Sequence, residues 1–333
     1  MKEPSPKEKT EGKSMEKNGI NRMFFSIILL HIAVVFLLML IPNITASIIT
    51  ISITENLLLS ELMILGPGLV YLLLKKRNYG AAGLTYGNRL GFHKIRISTF
   101  FLTILFTFLV MPLTTLCNAI SMLFVDNTML MISPQMLSMP FVLMLFLVAV
   151  YGPFCEEFVF RGIVYGGYRR QGSTCGAVLL SGLLFGLMHL NFNQAGYAFV
   201  MGIALAVLME ASGSIWTSIL CHFIFNAQSV CLLYLENYFM PEFFQQQLQM
   251  DISKEQLYLT ISVYFVLAAI TTAIAVCVLC AIAKNEGRSE QLKKVLPGKG
   301  EKKTHLFSPI LILGIITCLA YMIFEVVITM MHA

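Results

Sequence analysis

The stretch MPFVLMLFLVAVYGPFCEEFVFRG, residues 139–162, decides the architecture of this chain. It begins as an apolar segment suited to a membrane-spanning helix and then places Glu156, Glu157 and Arg161 inside the same run. A charged side chain near the centre of a bilayer costs from roughly 2.5 kcal/mol on insertion scales to much more in simulations. Either the fold compensates for these charges, or the residues are retained for chemistry.

The composition of the whole chain indicates the same environment. Of its 333 residues, 57% are hydrophobic and 12% are charged, and the mean hydropathy is +0.78. A soluble domain carries about 25% charged residues. Apolar runs long enough to cross a bilayer recur along the chain, so we predict an all-α, polytopic integral membrane protein.

Nine membrane-spanning helices are predicted from these runs. Their ranges are 24–44, 47–74, 98–124, 139–168, 175–191, 195–210, 214–235, 258–283 and 307–331. Residues 1–22 are predicted to be a disordered cytosolic tail, because a signal peptide would have a shorter charged region and a small-residue cleavage site. The other predicted regions are N-terminal helices in 23–138, a central segment 139–230, an outer loop 231–257, and C-terminal helices in 258–333 with a basic cytosolic loop 284–305.

Basic residues indicate how the helices are oriented. With the N-terminus inside and the C-terminus outside, 21 of the 23 lysines and arginines fall in cytosolic segments, as the positive-inside rule requires. The net charge of +5 follows from these segments facing an anionic leaflet. The lipid bilayer is therefore an expected partner, and nothing in the sequence indicates nucleic-acid binding.

Several ionisable residues lie in the predicted spans without a partner nearby in sequence. His31, Glu55, Glu61 and Glu325 belong to this group, and Glu210 lies at the inner end of the sixth span. We interpret them as interfacial residues or as groups that hydrogen-bond to a neighbouring helix.

The remaining ionisable and amide side chains cluster on three spans. They are Glu156, Glu157 and Arg161 on the fourth span, His189 on the fifth, and His222 and Asn226 on the seventh. Glu157 and Arg161 are four residues apart, as are His222 and Asn226, so each pair lies on one helix face. At 1.5 Å rise per residue, Glu156, His189 and His222 lie ~18, ~21 and ~12 Å from the cytosolic helix ends, so the three can share one layer.

This set of side chains suits acid–base chemistry. Histidine titrates near neutrality and serves as a base, an acid or a metal ligand. A carboxylate, imidazoles and an amide donor are the groups needed to hydrolyse a peptide bond with water. The alternative interpretation is a buried polar network that only fixes helix packing, and it accounts for Glu157 and Arg161 as an ion pair better than for the whole set.

Three short motifs in these spans resemble those of a known family. EEFVFR matches the E-E-x-x-x-R motif of the CPBP family of intramembrane proteases, which includes the eukaryotic Ras-converting CAAX endoprotease and its bacterial relatives. FGLMH and HFIFN match the family's F-x-x-x-H and H-x-x-x-N motifs, in the family's order. The resemblance covers roughly residues 139–230, which is then the protease core, and its catalytic residues are expected on three helices of a central bundle.

The resemblance implies a role for each motif residue. Glu156 activates water with help from His189, while His222 and Asn226 stabilise the oxyanion that forms at the scissile carbonyl. The supporting residues are Glu157 and Arg161, which position the helix, and Phe185, which shapes the pocket. The expected substrate is a hydrophobic or lipidated peptide or protein, prenylated in the eukaryotic relatives, and the expected location is a bacterial plasma membrane.

Other interpretations remain open on the sequence. Glu156, His189 and His222 could instead be three zinc ligands with an open fourth position, as in catalytic zinc sites, so the expected cofactor is either none or zinc. The chain lacks the H-E-x-x-H signature of many zinc proteases, which favours water activated by glutamate. The competing functions are a non-catalytic scaffold or bacteriocin-immunity protein on the same fold and, less favoured, a proton-coupled transporter.

Overall fold

The computed structural model describes residues 6–40, 53–81, 86–249, 253–297 and 306–332, and within these ranges the chain is helical without β-strands. We number the helices α1 to α13 along the chain. They are α1 (Pro6–Leu40), α2 (Ile53–Ala81), α3 (Tyr86–Leu90), α4 (Ile97–Ser121), α5 (Thr128–Leu137), α6 (Phe141–Arg169), α7 (Thr174–Met188), α8 (Phe192–Ser212), α9 (Ile215–Phe239), α10 (Pro241–Gln249), α11 (Lys254–Asn285), α12 (Ser289–Lys293) and α13 (Pro309–His332).

The prediction of a polytopic, all-helical membrane protein is confirmed. Eight helices in the described part of the chain are long and apolar enough to cross a membrane, namely α1, α2, α4, α6, α8, α9, α11 and α13. The predicted span 175–191 corresponds to α7, which is apolar but has only 15 residues. Residues 41–46 and the predicted start of the second span at 47 lie outside the described ranges.

Residues 6–22, predicted to belong to a disordered tail, lie in helix α1, and residues 1–5 lie outside the described ranges. Helix α1 already begins at Pro6 and runs without a break into the first span. Side chains of its polar half are held by the rest of the protein, because the Glu16 carboxylate accepts hydrogen bonds from Arg89 and Arg170. Asn21 is buried and donates to the backbone oxygen of Leu306.

The predicted loops at 231–257 and 284–305 also contain helices. Helix α9 continues to Phe239, α10 follows directly, and α11 starts at Lys254 rather than at 258. The start of α11 is fixed by a capping box, in which Ser253 and Gln256 bond to each other's backbone N–H groups. In the basic segment the short helix α12 lies beyond the end of α11, and residues 298–305 lie outside the described ranges.

Helix α6 lies at the centre of the bundle, in contact with α2, α7, α8 and α9. Beside it α4 packs along α11, and α1 packs along α13. Much of the outer surface carries large apolar side chains, as expected of helices that face lipid, for example Phe265, Val266 and Ile270 on α11.

Helix α6 changes its hydrogen-bonding pattern along its length. Two π-helical segments, Leu145–Tyr151 and Phe158–Tyr165, enclose the α-helical turn Gly152–Glu157. A π-helical turn widens the helix and changes the direction of the side chains on either side of it, and such turns are frequent at functional sites. The two adjacent glutamates therefore lie on a short regular turn between two irregular segments.

Ion pairs at the Arg169 end of α6 fix this helix to its neighbours. The buried carboxylate of Glu210 on α8 accepts hydrogen bonds from Tyr165 Oη at 2.6 Å and from Arg169 Nη2 at 2.9 Å. Arg288, between α11 and α12, adds a third contact at 3.2 Å. Glu210 is thus the centre of a buried network, which corresponds to the second of the two expected placements, a hydrogen bond to a neighbouring helix.

Candidate active site

The buried carboxylate of Glu157 connects two helices of the site. Its Oε2 lies 3.0 Å from Arg161 Nε on the same helix, so the ion pair predicted from the spacing is present. Its Oε1 accepts a hydrogen bond of 3.0 Å from His222 Nδ1 on α9. Glu157 thus neutralises Arg161 and fixes the orientation of the His222 ring at the same time.

Arg161 also contacts residues of α7 and α8. Its guanidinium carbon lies 4.2 Å from the centre of the Phe185 ring, and its Nη2 donates to the Gly202 backbone oxygen at 3.4 Å. A cation over an aromatic face is stabilised by the ring's quadrupole, and this stabilisation grows when water is excluded. The fold therefore compensates for the arginine, which is 1% exposed.

Phe185 brings the two histidines together. The centre of its ring lies 5.3 Å from that of His189 and 5.8 Å from that of His222, in both cases edge to face. Phe160 packs on it from α6 at 5.3 Å. The spacing in the sequence predicts that Phe185 lies one helical turn from His189. The tertiary structure shows that His222 also packs against the Phe185 ring.

His189 follows the last residue of α7, and its ring is fixed by the backbone. Nδ1 lies 2.9 Å from the Phe185 carbonyl oxygen. Because a carbonyl oxygen can only accept, Nδ1 carries the hydrogen, and the neutral ring has its free lone pair on Nε2. The following residue, Leu190, has φ +52°, a conformation that is strained for a leucine and turns the chain sharply into α8.

Polar side chains hold this turn in place. Asn191 caps α8 by accepting from the Gln194 backbone N–H, and it also accepts from the Thr128 hydroxyl. The buried Asn193 donates to Asn118 and Ser121 on α4. The position of His189 is thus supported by hydrogen bonds that the sequence motifs did not identify.

Glu156 lies beside His222 and is only partly buried. Its Oε2 is 3.8 Å from His222 Nε2, and its side chain is 13% exposed. The Oε2 atom itself is buried and has no hydrogen-bond partner among the described residues. Glu156 and Glu157 therefore differ in environment, because Glu157 contacts both Arg161 and His222, whereas Glu156 turns this unbonded oxygen toward the site.

The hydrogen bond of Asn226 goes to α6 rather than to Glu156. Its Nδ2 donates to the Val148 backbone oxygen at 2.8 Å. Val148 belongs to the first π-helical segment, where the altered pattern makes a backbone carbonyl available to a side chain. The amide nitrogen has a second hydrogen that can donate to another acceptor.

One residue near the site had no catalytic role in the sequence analysis. Glu61 on α2 is 8% exposed and lies against the Gly152–Glu157 turn. In the sequence it is an acidic residue in a predicted span, with no partner nearby in sequence. Only the packing of α2 against α6 brings it to the helix that carries Glu156 and Glu157.

The described side chains do not form a metal site. Within the described ranges, no group of three His, Cys, Asp or Glu side chains is arranged closely enough to hold a metal ion, and this includes Glu156, His189 and His222. His222 is also bound through Nδ1 to a carboxylate that neutralises an arginine. This hydrogen bond orients the ring and leaves Nε2 as the nitrogen that faces Glu156.

A separate apolar cavity of about 590 Å³ lies between α6, α9 and the start of α4, and the candidate catalytic residues do not line it. The lining includes Phe100, Val150, Phe154, Trp216, Leu220 and Phe223. Phe154 precedes Glu156 by two residues, and Phe223 directly follows His222. The cavity thus shares two helices with the candidate catalytic groups.

The first prediction concerns the buried ion pair. Arg161→Met leaves the Glu157 charge buried without its cation, so we expect the free energy of unfolding in mixed micelles to fall by about 3–5 kcal/mol. The double variant Glu157→Gln/Arg161→Met should recover part of this loss, because no charge remains unpaired. Lys293→Met is the matched control, since its ion pair with Glu290 is exposed and should contribute little. A double variant less stable than Arg161→Met would contradict this account.

The central segment of the chain is similar to known proteins. Residues 138–228 match the family described as "Type II CAAX prenyl endopeptidase Rce1-like". A segment of 109 residues is 30% identical to a protein of Bacillus subtilis (strain 168) named "Putative membrane peptidase YdiL", covering 32% of this chain and 44% of the relative. The chain thus spans less than half the length of this relative, and no solved structure matches it significantly. The two matches confirm the resemblance predicted from the three motifs, and over its central segment the chain is similar to the CPBP family of CAAX proteases.

Proposed function

We propose that the protein is an intramembrane endopeptidase that cleaves a hydrophobic or lipidated substrate with water activated by Glu156 and His189. One observation carries the proposal: the Glu156 carboxylate faces Nε2 of His222, whose ring is fixed by Glu157 and Arg161. The match of residues 138–228 to a family of CAAX endopeptidases supports the same class of reaction.

The proposed reaction starts with proton transfer from water. Glu156 accepts a proton from water as the water oxygen bonds to the scissile carbonyl carbon, and the lone pair on His189 Nε2 assists the onward transfer of that proton to the leaving group. The carbonyl oxygen becomes an oxyanion. The proton on Glu156 then passes to the leaving amine as the C–N bond breaks, so the carboxylate is regenerated.

His222 and Asn226 are the proposed oxyanion donors. With Glu157 accepting from Nδ1, His222 can carry a second proton on Nε2 and donate it to the oxyanion. Asn226 has an amide hydrogen beyond the one donated to Val148. Donors that are fixed before the reaction stabilise an oxyanion strongly, and losing one costs roughly a hundredfold or more in kcat.

The apolar cavity supports a hydrophobic substrate. Its lining is almost wholly aliphatic and aromatic, and two of the helices that form it, α6 and α9, carry Glu156 and His222. A prenyl chain or an apolar peptide segment would be desolvated there without burying unpaired polar groups. We propose a prenylated CAAX-like peptide as the first substrate to test, and a bacterial plasma membrane as the location.

The second prediction tests proteolysis in cells. We compare the termini of membrane proteins in cells that carry the native chain or Glu156→Gln at matched levels. Termini produced only by the native chain are expected, because an amide in place of the Glu156 carboxylate cannot accept the proton from water. If the termini are identical and any host phenotype persists in the variant, the protein is a non-catalytic scaffold or immunity factor.

The third prediction concerns metals. Since Glu156, His189 and His222 do not form a converged ligand set, cleavage by the purified chain in liposomes should be unchanged by 1,10-phenanthroline. The readout is hydrolysis of a fluorogenic S-farnesyl CAAX peptide, with an established zinc protease as the control for the chelator. Inhibition that is reversed by added zinc would show that a metal takes part.

The fourth prediction concerns the cavity. Leu220→Trp adds volume inside it, so kcat/KM for the farnesylated peptide should fall by roughly tenfold or more, because the apolar pocket no longer accepts the chain. Leu232→Trp is the matched control on α9, since Leu232 is 45% exposed and does not line the cavity. Equal losses in both variants would indicate that the cavity does not bind substrate.

A further inference from the structure

Glu61 is a buried carboxylate in an apolar stretch of α2. It lies within LLLSELMILGPG, where the neighbouring residues are mostly apolar. The side chain is 8% exposed, and Oε2 is fully buried with no hydrogen-bond partner among the described residues. Leaving a buried acceptor unsatisfied costs about 1–3 kcal/mol, and more when the group is charged.

The carboxylate is held directly against the catalytic helix. A Cβ atom at Gly152 would lie 3.3 Å from Glu61 Oε1 and 3.7 Å from Glu61 Cδ. Glycine at position 152 therefore allows the carboxylate to approach the backbone of the turn that carries Glu156. Gly152 and Glu156 are four residues apart, so they lie on one face of α6, and Glu61 packs against that face at Gly152.

Glu156 has a buried acceptor of the same kind. Its Oε2 lacks a hydrogen-bond partner among the described residues, and His222 Nε2 lies 3.8 Å from it. Glu61 and Glu156 therefore each carry a buried oxygen that has no donor within the described ranges, and Glu61 packs on the helix face that carries Glu156.

We propose that Glu61 and Glu156 together bind the hydrolytic water, and that Glu61 is a positioning residue for the reaction. A water molecule has two hydrogens and can donate one to each carboxylate, which satisfies both orphaned acceptors. Its lone pairs then point away from both acids, toward the space where a scissile carbonyl would lie. This inference rests on the proposed function.

The role of Glu61 requires no proton transfer to it. Glu156 takes one hydrogen of the water as the bond to the carbonyl carbon forms. The other hydrogen stays on the attacking oxygen and keeps its hydrogen bond to Glu61 throughout the step. Glu61 therefore restricts the orientation of the nucleophile, and a misplacement of about 1 Å can reduce a rate by roughly a hundredfold.

A purely structural role for Glu61 makes a different prediction for stability. A structural acid would stabilise the helix packing, so Glu61→Leu would lower the stability of the protein. An acid kept for water binding carries an unsatisfied buried oxygen, so the same substitution should maintain or raise the melting temperature while it lowers kcat. Glu61→Gln retains an acceptor oxygen and should recover much of the activity.

The test combines a crystal structure of the full chain in a lipid phase with kinetics on the farnesylated fluorogenic peptide. We expect an ordered water within hydrogen-bond distance of both Glu61 and Glu156, and its loss in Glu61→Leu. We also expect kcat to fall about a hundredfold in Glu61→Leu with KM nearly unchanged, and to stay within about tenfold in Glu61→Gln. Glu55→Leu, an exposed acid on the same helix, is the matched control and should retain full activity.

Two results would overturn the inference. One is the absence of a shared water at a resolution where other buried waters are clear. The other is a kcat for Glu61→Leu within about twofold of the native value. If the native chain cleaves no peptide but the shared water is present, the proposed function fails while the water site is supported.

Discussion

The Glu157 carboxylate is the interaction on which the rest of the site depends. It neutralises Arg161 on its own helix and orients His222 on the next, and both contacts are shielded from solvent. Removing its charge would leave Arg161 buried without a carboxylate partner and release the ring that faces Glu156. In a medium without water, each of these groups is tolerated only because the others are present.

The central helix α6 makes this arrangement possible by departing from regular geometry. Its π-helical segments lie on both sides of the turn that carries Glu156 and Glu157, and one of them supplies the carbonyl that accepts from Asn226. Gly152 lets a carboxylate from α2 approach the same turn. Irregular backbone within a membrane protein is stable where it is buried in protein, and α2, α7, α8 and α9 pack against α6. Asn226 on α9 also donates a hydrogen bond to its backbone.

The sequence predicted most of the membrane helices and the motif residues because both depend on local information. Apolar runs of spanning length are readable without a structure, and a spacing of four residues places Glu157 beside Arg161. Helix ends were less predictable. The polar half of α1 was predicted to be disordered, yet Glu16 is held by Arg89 and Arg170, which are 73 and 154 residues away in sequence.

The sequence by itself determined the class of protein, the approximate spans and the side chains that carry the proposed chemistry, since composition and short-range periodicity encode them. Only the tertiary structure decided which of these side chains meet. It placed His222 against Glu157, directed Asn226 to Val148, and brought Glu61 to the Gly152–Glu157 turn. The physical reason is that such contacts depend on the rotation and depth of each helix in the bundle. Those are set by packing between helices distant in sequence, and no local pattern records them.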